Sequence, residues 1–148
     1  MRIAFAADHR GYKLKEALKA AVAADHDVVD FGTDKEASCD YVDYGRRAAE
    51  AVATGQVDRG VLICATGVGM SILANKIPGC RAALCWTAYM ARLTRLHNDS
   101  NILVLSGDQT AAPYAREILA TWLASPYEGG RHQRRLDKIR DIEVDYAK

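Results

Sequence analysis

The sequence predicts an α/β fold: a five-stranded parallel sheet with helices on both faces and a further C-terminal helix. Two observations support this class. Short apolar segments alternate along the chain with segments whose apolar residues recur every three or four positions. Polar clusters follow directly after the first, third and fifth apolar segments, where parallel sheets bind their ligands. With 148 residues, no internal repeat and no low-complexity linker, the chain is expected to form a single domain over residues 1–148.

Residues 1–64 are expected to supply three strands and two helices. Ile3–Ala7 is a short apolar run and predicts the first strand; helical spacing follows in Leu14, Ala17, Leu18, Ala21 and Val22. Val28–Phe31 predicts the second strand, and the polar residues 32–40 predict a loop. A second helix is indicated by the spacing of Tyr44, Ala48, Ala51 and Val52. Gly60–Cys64 is continuous, apolar and rich in β-branched side chains, so it predicts the third strand.

The second half of the chain continues the alternation. Ser71–Lys76 predicts a short helix that ends before a Pro-Gly pair. Two further strands are predicted from short apolar runs, Arg81–Cys85 and Asn101–Leu105. Between them, Thr87 is suited to cap a helix that reaches about His97. Another helix is expected over Pro113–Leu123, with its proline in the first turn, where proline is tolerated.

The last segment, Arg131–Lys148, follows a Gly-Gly pair and predicts the C-terminal helix. Leu136, Ile139 and Ile142 form an apolar stripe along it. Such a stripe docks either on the helix's own domain or on a partner subunit.

Composition narrows the classes of partner. The 20 Lys and Arg residues are balanced by 19 Asp and Glu residues, so bulk electrostatic binding to nucleic acid or to an anionic membrane is not expected. No apolar run approaches the roughly 18 residues that a membrane span needs, and the first residues read as a strand and not as a signal peptide. The cysteines form no CxxC pair and are expected to be reduced thiols of a cytoplasmic protein: Cys39, Cys64, Cys80 and Cys85.

Residues 64–71, Cys-Ala-Thr-Gly-Val-Gly-Met-Ser, are the most informative stretch. Glycines allow a tight turn and a close approach of the backbone to a ligand, and amides at the start of a helix bind an anion or a developing oxyanion. Cys64 ends a strand at the positive end of the following helix, a position that favours the thiolate form as a base or nucleophile. A buried cysteine on a core strand is equally compatible with this position.

Three other known patterns fit the same stretch less well. A dinucleotide-binding loop needs a third glycine where Ile72 stands. A phosphatase loop of the C-x5-R kind needs an arginine where Met70 stands. A phosphocysteine carrier of a sugar-transport system stays open as a minor alternative, although the cysteine of those proteins follows the first strand and Cys64 follows the third.

Three further groups of residues are compatible either with a role in binding or catalysis or with a purely structural role. The pair Asp8-His9 follows the first strand and is also suited to capping a turn. His97 is either a catalytic group or a favourable cation at a helix C-terminus. Arg131 and Arg135 share one face of the last helix, where they suit a phosphate or form a solvated basic face. A zinc site built from the cysteines and histidines lacks ligand pairs at the usual spacing.

Taken in order, these segments resemble the type B ribose-5-phosphate isomerases and the related galactose-6-phosphate isomerase subunits. The resemblance runs over nearly the whole chain and rests on five motifs: Asp8-His9, Cys64-x-Thr66-Gly67-x-Gly69-x-Ser71, Ala74-Asn75-Lys76, His97-Asn98-Asp99 and Glu128-Gly129-Gly130-Arg131-His132. It implies a Rossmann-like fold and a metal-free, cofactor-free aldose–ketose isomerase. Its substrate would be a small phosphorylated sugar, ribose 5-phosphate first of all, converted through a cis-enediol(ate). A homodimer or a dimer of dimers, with each site shared between subunits, is also implied.

The resemblance further implies roles for single residues. Cys64 matches the base that moves a proton between C1 and C2, because the glutamate that one branch of the family uses instead is replaced by Met70. Thr66 would assist Cys64, and His97 matches the residue that opens the furanose ring. The remaining matched positions would bind the enediolate (Gly67, Val68, Gly69, Ser71), the sugar (Asp8, Tyr41, Asn98) and the phosphate (His9, Arg131, Arg135).

Two positions depart from the family's pattern. Ala65 stands beside Cys64 where most members have glycine, and its methyl group would crowd C1 and C2 of the substrate. Asp108 stands where the family usually places a phosphate-binding arginine; a carboxylate there would repel phosphate, and Arg10 or Arg134 would have to compensate. Other phosphorylated aldoses of four to six carbons therefore stay open as substrates. A phosphate- or nucleotide-binding regulatory domain without catalysis is the remaining alternative.

Overall fold

A computed structural model describes residues 1–147, and Lys148, the end of the predicted last segment, lies outside the described residues. The strands are β1 (Arg2–Ala7), β2 (Asp27–Asp30), β3 (Arg59–Cys64), β4 (Ala82–Leu84) and β5 (Ile102–Ser106). The helices are α1 (Tyr12–Val22), α2 (Tyr41–Ala53), α3 (Val68–Ala74), α4 (Ala88–Asn98), α5 (Ala112–Ala124) and α6 (Arg131–Tyr146). All strand pairs are parallel, in the order β2-β1-β3-β5-β4. The predicted fold class is confirmed, including the C-terminal helix.

The two faces of the sheet bury different helices. Ile63 belongs to a buried cluster formed with α1, α4 and α5, whose largest member is Trp122. Leu62 and Cys64 belong to a second cluster, formed with α2 and α3. Successive side chains of a strand point to opposite faces. Cys64, the last residue of β3, therefore lies on the face that α2 and α3 cover.

Helix α3 begins earlier than predicted. It starts at Val68, three residues before the expected Ser71, whereas the ends of the strands and of α4 and α5 lie within one residue of the expected ones. Gly67 precedes it with φ +82°, a left-handed conformation that glycine adopts without strain. The chain therefore turns sharply after the strand and enters the helix at once. At the start of α4, by contrast, Thr87 is the cap that the sequence predicts, because its side-chain oxygen accepts the amide of Met90 at 3.1 Å.

Consecutive elements carry the chain between two edges of the sheet. The ends of β1, β3 and β5 meet at one edge, here called the carboxyl edge. Helix α4 starts beyond the end of β4 and runs back, so it ends at the opposite, amino edge. There the carbonyl of Asn98 accepts a hydrogen bond at 3.1 Å from Nε of Arg81, which directly precedes β4. Helix α6 starts near the same edge, because the amide of Glu128 donates to the carbonyl of Leu96 at 3.0 Å.

Helix α6 packs on its own domain through only part of its apolar stripe. Leu136 is 9% exposed, whereas Ile139 and Ile142 remain 46% and 58% exposed. The carboxylate of Glu143 accepts the amide of Gly79 at 3.1 Å and fixes the later part of the helix. The stripe therefore leaves apolar surface uncovered in a single chain. Among residues 1–147, no helix has both the length and the apolar composition needed to cross a membrane.

A buried lysine joins α1 to β2. The side chain of Lys15 is fully buried and forms ion pairs with Glu16 and Asp30. Lys19 reaches the same two carboxylates. Burial alone would raise the pKa of Asp30, but hydrogen bonds from the two lysines outweigh it, and the pKa of Asp30 is lowered overall. A carboxylate with a lowered pKa contributes stability above its unfolded-state pKa and loses it as the pH falls.

Replacing Asp30 by asparagine should lower the free energy of unfolding by about 2 kcal/mol at pH 7, because the buried Lys15 loses one of its two counterions. Urea unfolding at several pH values measures this. The difference from wild type should shrink as the pH falls below the ordinary range near 3.8, where the native carboxylate is protonated as well. Asp27→Asn is the matched control, since Asp27 pairs with Arg2 at the surface. Equal losses in the two variants would contradict the prediction.

Candidate active site

The carboxyl edge brings three loops together around the end of β3. The amide of Gly107 donates to the carbonyl of Cys64 at 2.8 Å, and the amide of Asp108 donates to the carbonyl of Ala65 at 3.0 Å. The hydroxyl of Ser106 donates to the same Ala65 carbonyl at 2.7 Å. On the other side, β1 pairs with β3 up to Ala7, so Asp8 follows directly beside the end of β3. The residues that follow β1, β3 and β5 thus lie side by side at the carboxyl edge.

Cys64 differs in its surroundings from the two other buried cysteines, Cys80 and Cys85. All four are free thiols. Burial raises the pKa of Cys80 to about 11 and that of Cys85 to about 12, and their thiols donate to the backbone carbonyls of Ala49 and Ala83. Neither is suited to act as a base near neutral pH. Cys64 is the cysteine that stands at the sheet's carboxyl edge before a glycine loop and a helix start.

The glycine loop is shaped by close packing. A Cβ atom on Gly67 would lie 2.5 Å from the side chain of Leu84 and 3.1 Å from the carbonyl of Leu105. A Cβ atom on Gly69 would lie 2.7 Å from the ring of Tyr41, so the predicted sugar contact Tyr41 sits against this loop. A side chain at Gly67 would also be strained by the φ of +82°, and one at Gly69 would have to displace the Tyr41 ring. After this loop, α3 begins at the carboxyl edge. The amides of its first turn include those of the predicted enediolate ligands Val68 and Ser71.

Two of those amides are already bonded within the chain. The amide of Val68 donates to the hydroxyl of Thr66 at 3.3 Å, and that of Ser71 donates to the carbonyl of Gly67 at 3.0 Å. Across residues 1–147, the amides of Gly69 and Met70 have no such partner. They are the donors available to a bound oxyanion. Thr66 is thus seen as a cap of the loop, and its predicted assistance to Cys64 stays a prediction.

Asp8 and His9 have distinct environments. Asp8 is 6% exposed, and its Oδ1 accepts the amides of Arg10 and Gly11 at 3.0 and 3.1 Å, which is the turn-capping arrangement that the sequence left open. Nδ1 of His9 accepts the amide of Cys39 at 3.3 Å. In the neutral ring the proton then sits on Nε2, which is the form that can donate a hydrogen bond to an anion.

Asp108 has a cationic partner. Its carboxylate receives a bidentate pair of hydrogen bonds from Arg10, Nε to Oδ1 at 3.1 Å and Nη2 to Oδ2 at 2.8 Å. These hydrogen bonds, with the charge of Asp108, raise the pKa of Arg10. The acidic side chain expected to repel a phosphate is therefore paired with one of the two arginines that the sequence offered as compensation.

The remaining predicted residues lie at the amino edge. The ring of His97 stacks on that of His132, with centroids 4.3 Å apart and planes inclined by 16°. Nε2 of His132 is held by Glu128 at 3.1 Å. Arg131 and Arg135 are exposed on the first turns of α6, and Asn98 is exposed at the end of α4. Sequence reasoning gave no role to Glu128 and His132; their i,i+4 spacing was the available signal.

His97, Glu128 and His132 are also the group of metal-ligating side chains that comes together within residues 1–147, and no cysteine belongs to it. The lone pairs of imidazole lie in the ring plane. Because the two rings are nearly parallel, their nitrogens do not converge on one point. His132, held by Glu128, therefore orients the ring of His97. The three side chains are poorly arranged to hold a metal ion.

The predicted site thus falls into two groups within one chain. Cys64, the glycine loop, Asp8, His9 and Tyr41 lie at the carboxyl edge, whereas His97, Asn98 and the two arginines lie at the amino edge. The sheet separates them. A single chain consequently offers a thiol and two unbonded amides at one edge, and a histidine with two arginines at the other.

Comparison with known proteins gives concordant matches. The family model described as Ribose/Galactose Isomerase matches residues 3–139. Ribose-5-phosphate isomerase B of Escherichia coli is 46% identical over 143 residues, covering 96% of each chain. The structure of ribose-5-phosphate isomerase B of Clostridium thermocellum superposes with a TM-score of 0.97 at 47% identity, covering 99% of each chain. That of Mycoplasma genitalium with bound ribulose 5-phosphate gives 0.93 at 38% identity, covering 97% and 96%.

Proposed function

The chain belongs to the ribose/galactose isomerase family and is a sugar-phosphate isomerase, and from this premise we propose that it interconverts ribose 5-phosphate and ribulose 5-phosphate. The relatives named above carry that activity in their names, and one was solved with ribulose 5-phosphate bound. The observation in this chain that carries the proposal is Cys64, at the carboxyl edge directly before the Gly67 turn. We propose a single isomerase domain over residues 1–148, supported by the extent of the family match.

Cys64 is the proposed base. In the open-chain aldose its thiolate removes the proton from C2, and the electron pair moves into a C1–C2 double bond as the charge passes to O1. The proton of the C2 hydroxyl passes to O1, the thiol returns its proton to C1, and O2 becomes the carbonyl oxygen. One group thus serves two adjacent carbons. The cis-enediolate carries its negative charge on oxygen, next to the amides of Gly69 and Met70. Ala65, the residue after Cys64, borders the reacting carbons in this arrangement.

The other predicted residues bind and prepare the sugar. His97 would open the furanose ring by moving a proton between the ring oxygen and the anomeric hydroxyl. His9 would meet the phosphate through its Nε2 proton, together with Arg131 and Arg135. The sugar hydroxyls would meet three side chains, Asp8, Tyr41 and Asn98. Binding of the distant phosphate then orients the reacting carbons against the base.

These roles require two chains. The groups proposed to act on one substrate lie at opposite edges of the sheet in a single chain. We propose a homodimer, alone or as a dimer of dimers, in which the carboxyl edge of one chain faces the amino edge of its partner. Val68 and Ile72 on α3 are 49% and 59% exposed beside the glycine loop, and apolar surface of this kind is typical of a subunit contact. Since all four thiols are free, we propose the reducing cytoplasm as the compartment.

An isomerase assay with phosphorylated aldoses of four to six carbons tests the substrate. Ribose 5-phosphate should give the highest kcat/KM. A higher value for another aldose would replace the substrate but keep the reaction. If no aldose is converted while inorganic phosphate binds, the chain is a phosphate-binding regulatory domain instead.

Mixing two inactive variants tests the shared site. Cys64→Ala and His97→Asn chains, refolded together in equal amounts, form mixed dimers in half of the cases. If each site takes Cys64 from one chain and His97 from the other, every mixed dimer holds one intact site, and about a quarter of the wild-type activity returns. Sites contained within one chain would recover no activity, and the two-chain arrangement would then be wrong.

A further inference from the structure

Arg10 and Asp108 form a bridge between two loops of the carboxyl edge. Arg10 belongs to the turn after β1, next to His9, and Asp108 follows β5. Their hydrogen bonds are parallel and bidentate, at 3.1 and 2.8 Å. Such fork-like pairs fix the plane of the guanidinium group as well as its position.

The backbone beneath this pair is anchored on both sides. The amide of Arg10 donates to the buried Asp8 carboxylate at 3.0 Å. The amide of Asp108 donates to the carbonyl of Ala65, the neighbour of the proposed base, at 3.0 Å. A Cβ atom on Gly107 would lie 2.6 Å from the carbonyl oxygen of Arg10, so the two loops are in direct contact. Arg10 is therefore held at a defined place relative to Cys64.

The ion pair with Asp108 leaves some N–H donors of the Arg10 guanidinium group available to a ligand. A guanidinium group carries five N–H donors, and Asp108 accepts two of them. The side chain of Arg10 is 57% exposed, whereas that of Asp108 is 29% exposed. The carboxylate has both oxygens engaged, and the guanidinium of Arg10, the residue after His9, retains N–H groups open to solvent.

We propose that Arg10 is a ligand of the substrate phosphate and that Asp108 is the positioning residue that holds it. This deepens the proposed function and depends on it for the identity of the substrate. Arg10 and His9 lie in the same turn after β1, and both donate hydrogen bonds to the phosphate dianion. Asp108 accepts two of the guanidinium N–H groups and acts through Arg10. The pair favours phosphorylated over unphosphorylated sugars, because an uncharged sugar gains nothing from the guanidinium group.

Calorimetric titration of the purified protein with inorganic phosphate measures the phosphate Kd and tests the proposal without relying on turnover. Arg10→Ala should weaken phosphate binding about 10-fold, in keeping with the loss of a charged hydrogen bond at a partly exposed position. With ribose 5-phosphate, KM should rise by a similar factor while kcat stays within about threefold. Asp108→Asn should raise both the phosphate Kd and KM by about two- to fivefold, with kcat unchanged, because the guanidinium stays but loses its anchor.

Arg46→Ala is the matched control. Arg46 is also an exposed arginine paired with a carboxylate, Glu50 at 2.7 Å, but on the surface of α2. It should bind phosphate as wild type does. Unchanged phosphate affinity in Arg10→Ala would overturn the proposal. The proposal would also be overturned if the Arg10 and Asp108 substitutions changed phosphate affinity equally and lowered Tm equally. That pattern indicates that the ion pair only stabilises the fold.

The two levels of inference fail separately. If ribose 5-phosphate is not converted but Arg10→Ala still weakens phosphate binding, Arg10 remains an anion ligand and only the substrate is wrong. If ribose 5-phosphate is converted and Arg10→Ala leaves phosphate affinity and KM unchanged, the proposed function stands and the role of Arg10 is wrong.

Discussion

Replacing Cys64 with alanine should lower kcat for ribose 5-phosphate at least a hundredfold, in line with the roughly 10²- to 10⁴-fold contribution of a positioned base. Cys64 lies where β3 ends, and the amides of Gly69 and Met70 lie in the first turn of α3, the helix that follows it. Alanine keeps the backbone and the glycine loop but removes the thiol that we propose as the base. Binding of inorganic phosphate should survive, because the proposed phosphate ligands are other residues. Steady-state kinetics and a phosphate titration together measure both effects.

Cys85→Ala provides the control for loss of a buried thiol. Cys85 is 1% exposed and directly follows β4, so the substitution removes the same atom from a comparable place. Both variants should lose a similar amount of stability, about 1 kcal/mol. Only the Cys64 variant should lose turnover. If Cys64→Ala keeps a kcat near that of wild type, Cys64 is not the base.

Replacing His97 with asparagine should slow turnover of ribose 5-phosphate about a hundredfold but affect a four-carbon aldose 4-phosphate far less. Ribose 5-phosphate is mainly a closed furanose, and ring opening needs a proton donor and acceptor. The four-carbon substrate cannot close such a ring, so it bypasses that step. The comparison of kcat/KM for the two substrates isolates ring opening.

His26→Asn serves as the control for loss of an imidazole, because His26 lies in the turn before β2 and contacts the chain's amino terminus. It should leave both substrates unaffected. Equal losses on both substrates in the His97 variant would mean that His97 acts in the isomerisation step or only in folding.

Much of the fold was predictable because its signals are local. The apolar run that ends at Cys64 and the alternation of strands and helices depend on residues close together in the chain, and so does the Thr87 cap. The early start of α3 was missed because the left-handed turn at Gly67 is a backbone property that apolar spacing does not record.

The contacts that complete the site were less accessible to sequence reasoning. Arg10 and Asp108 are 98 positions apart, and their pairing depends on β1 and β5 both flanking β3. The stacking of His97 on His132 depends on how α6 returns to the end of α4. Both are products of the three-dimensional arrangement, and neither leaves a periodic pattern in the sequence.

The division of the predicted site between the two edges of the sheet would separate folding from activity. If the halves meet only between chains, the number of working sites obeys mass action, and a correctly folded chain at high dilution is inert. Specific activity would then fall on dilution while the circular dichroism spectrum stays constant, and it would return when the sample is concentrated. The abundance of the protein would thus set its turnover per molecule as well as its total.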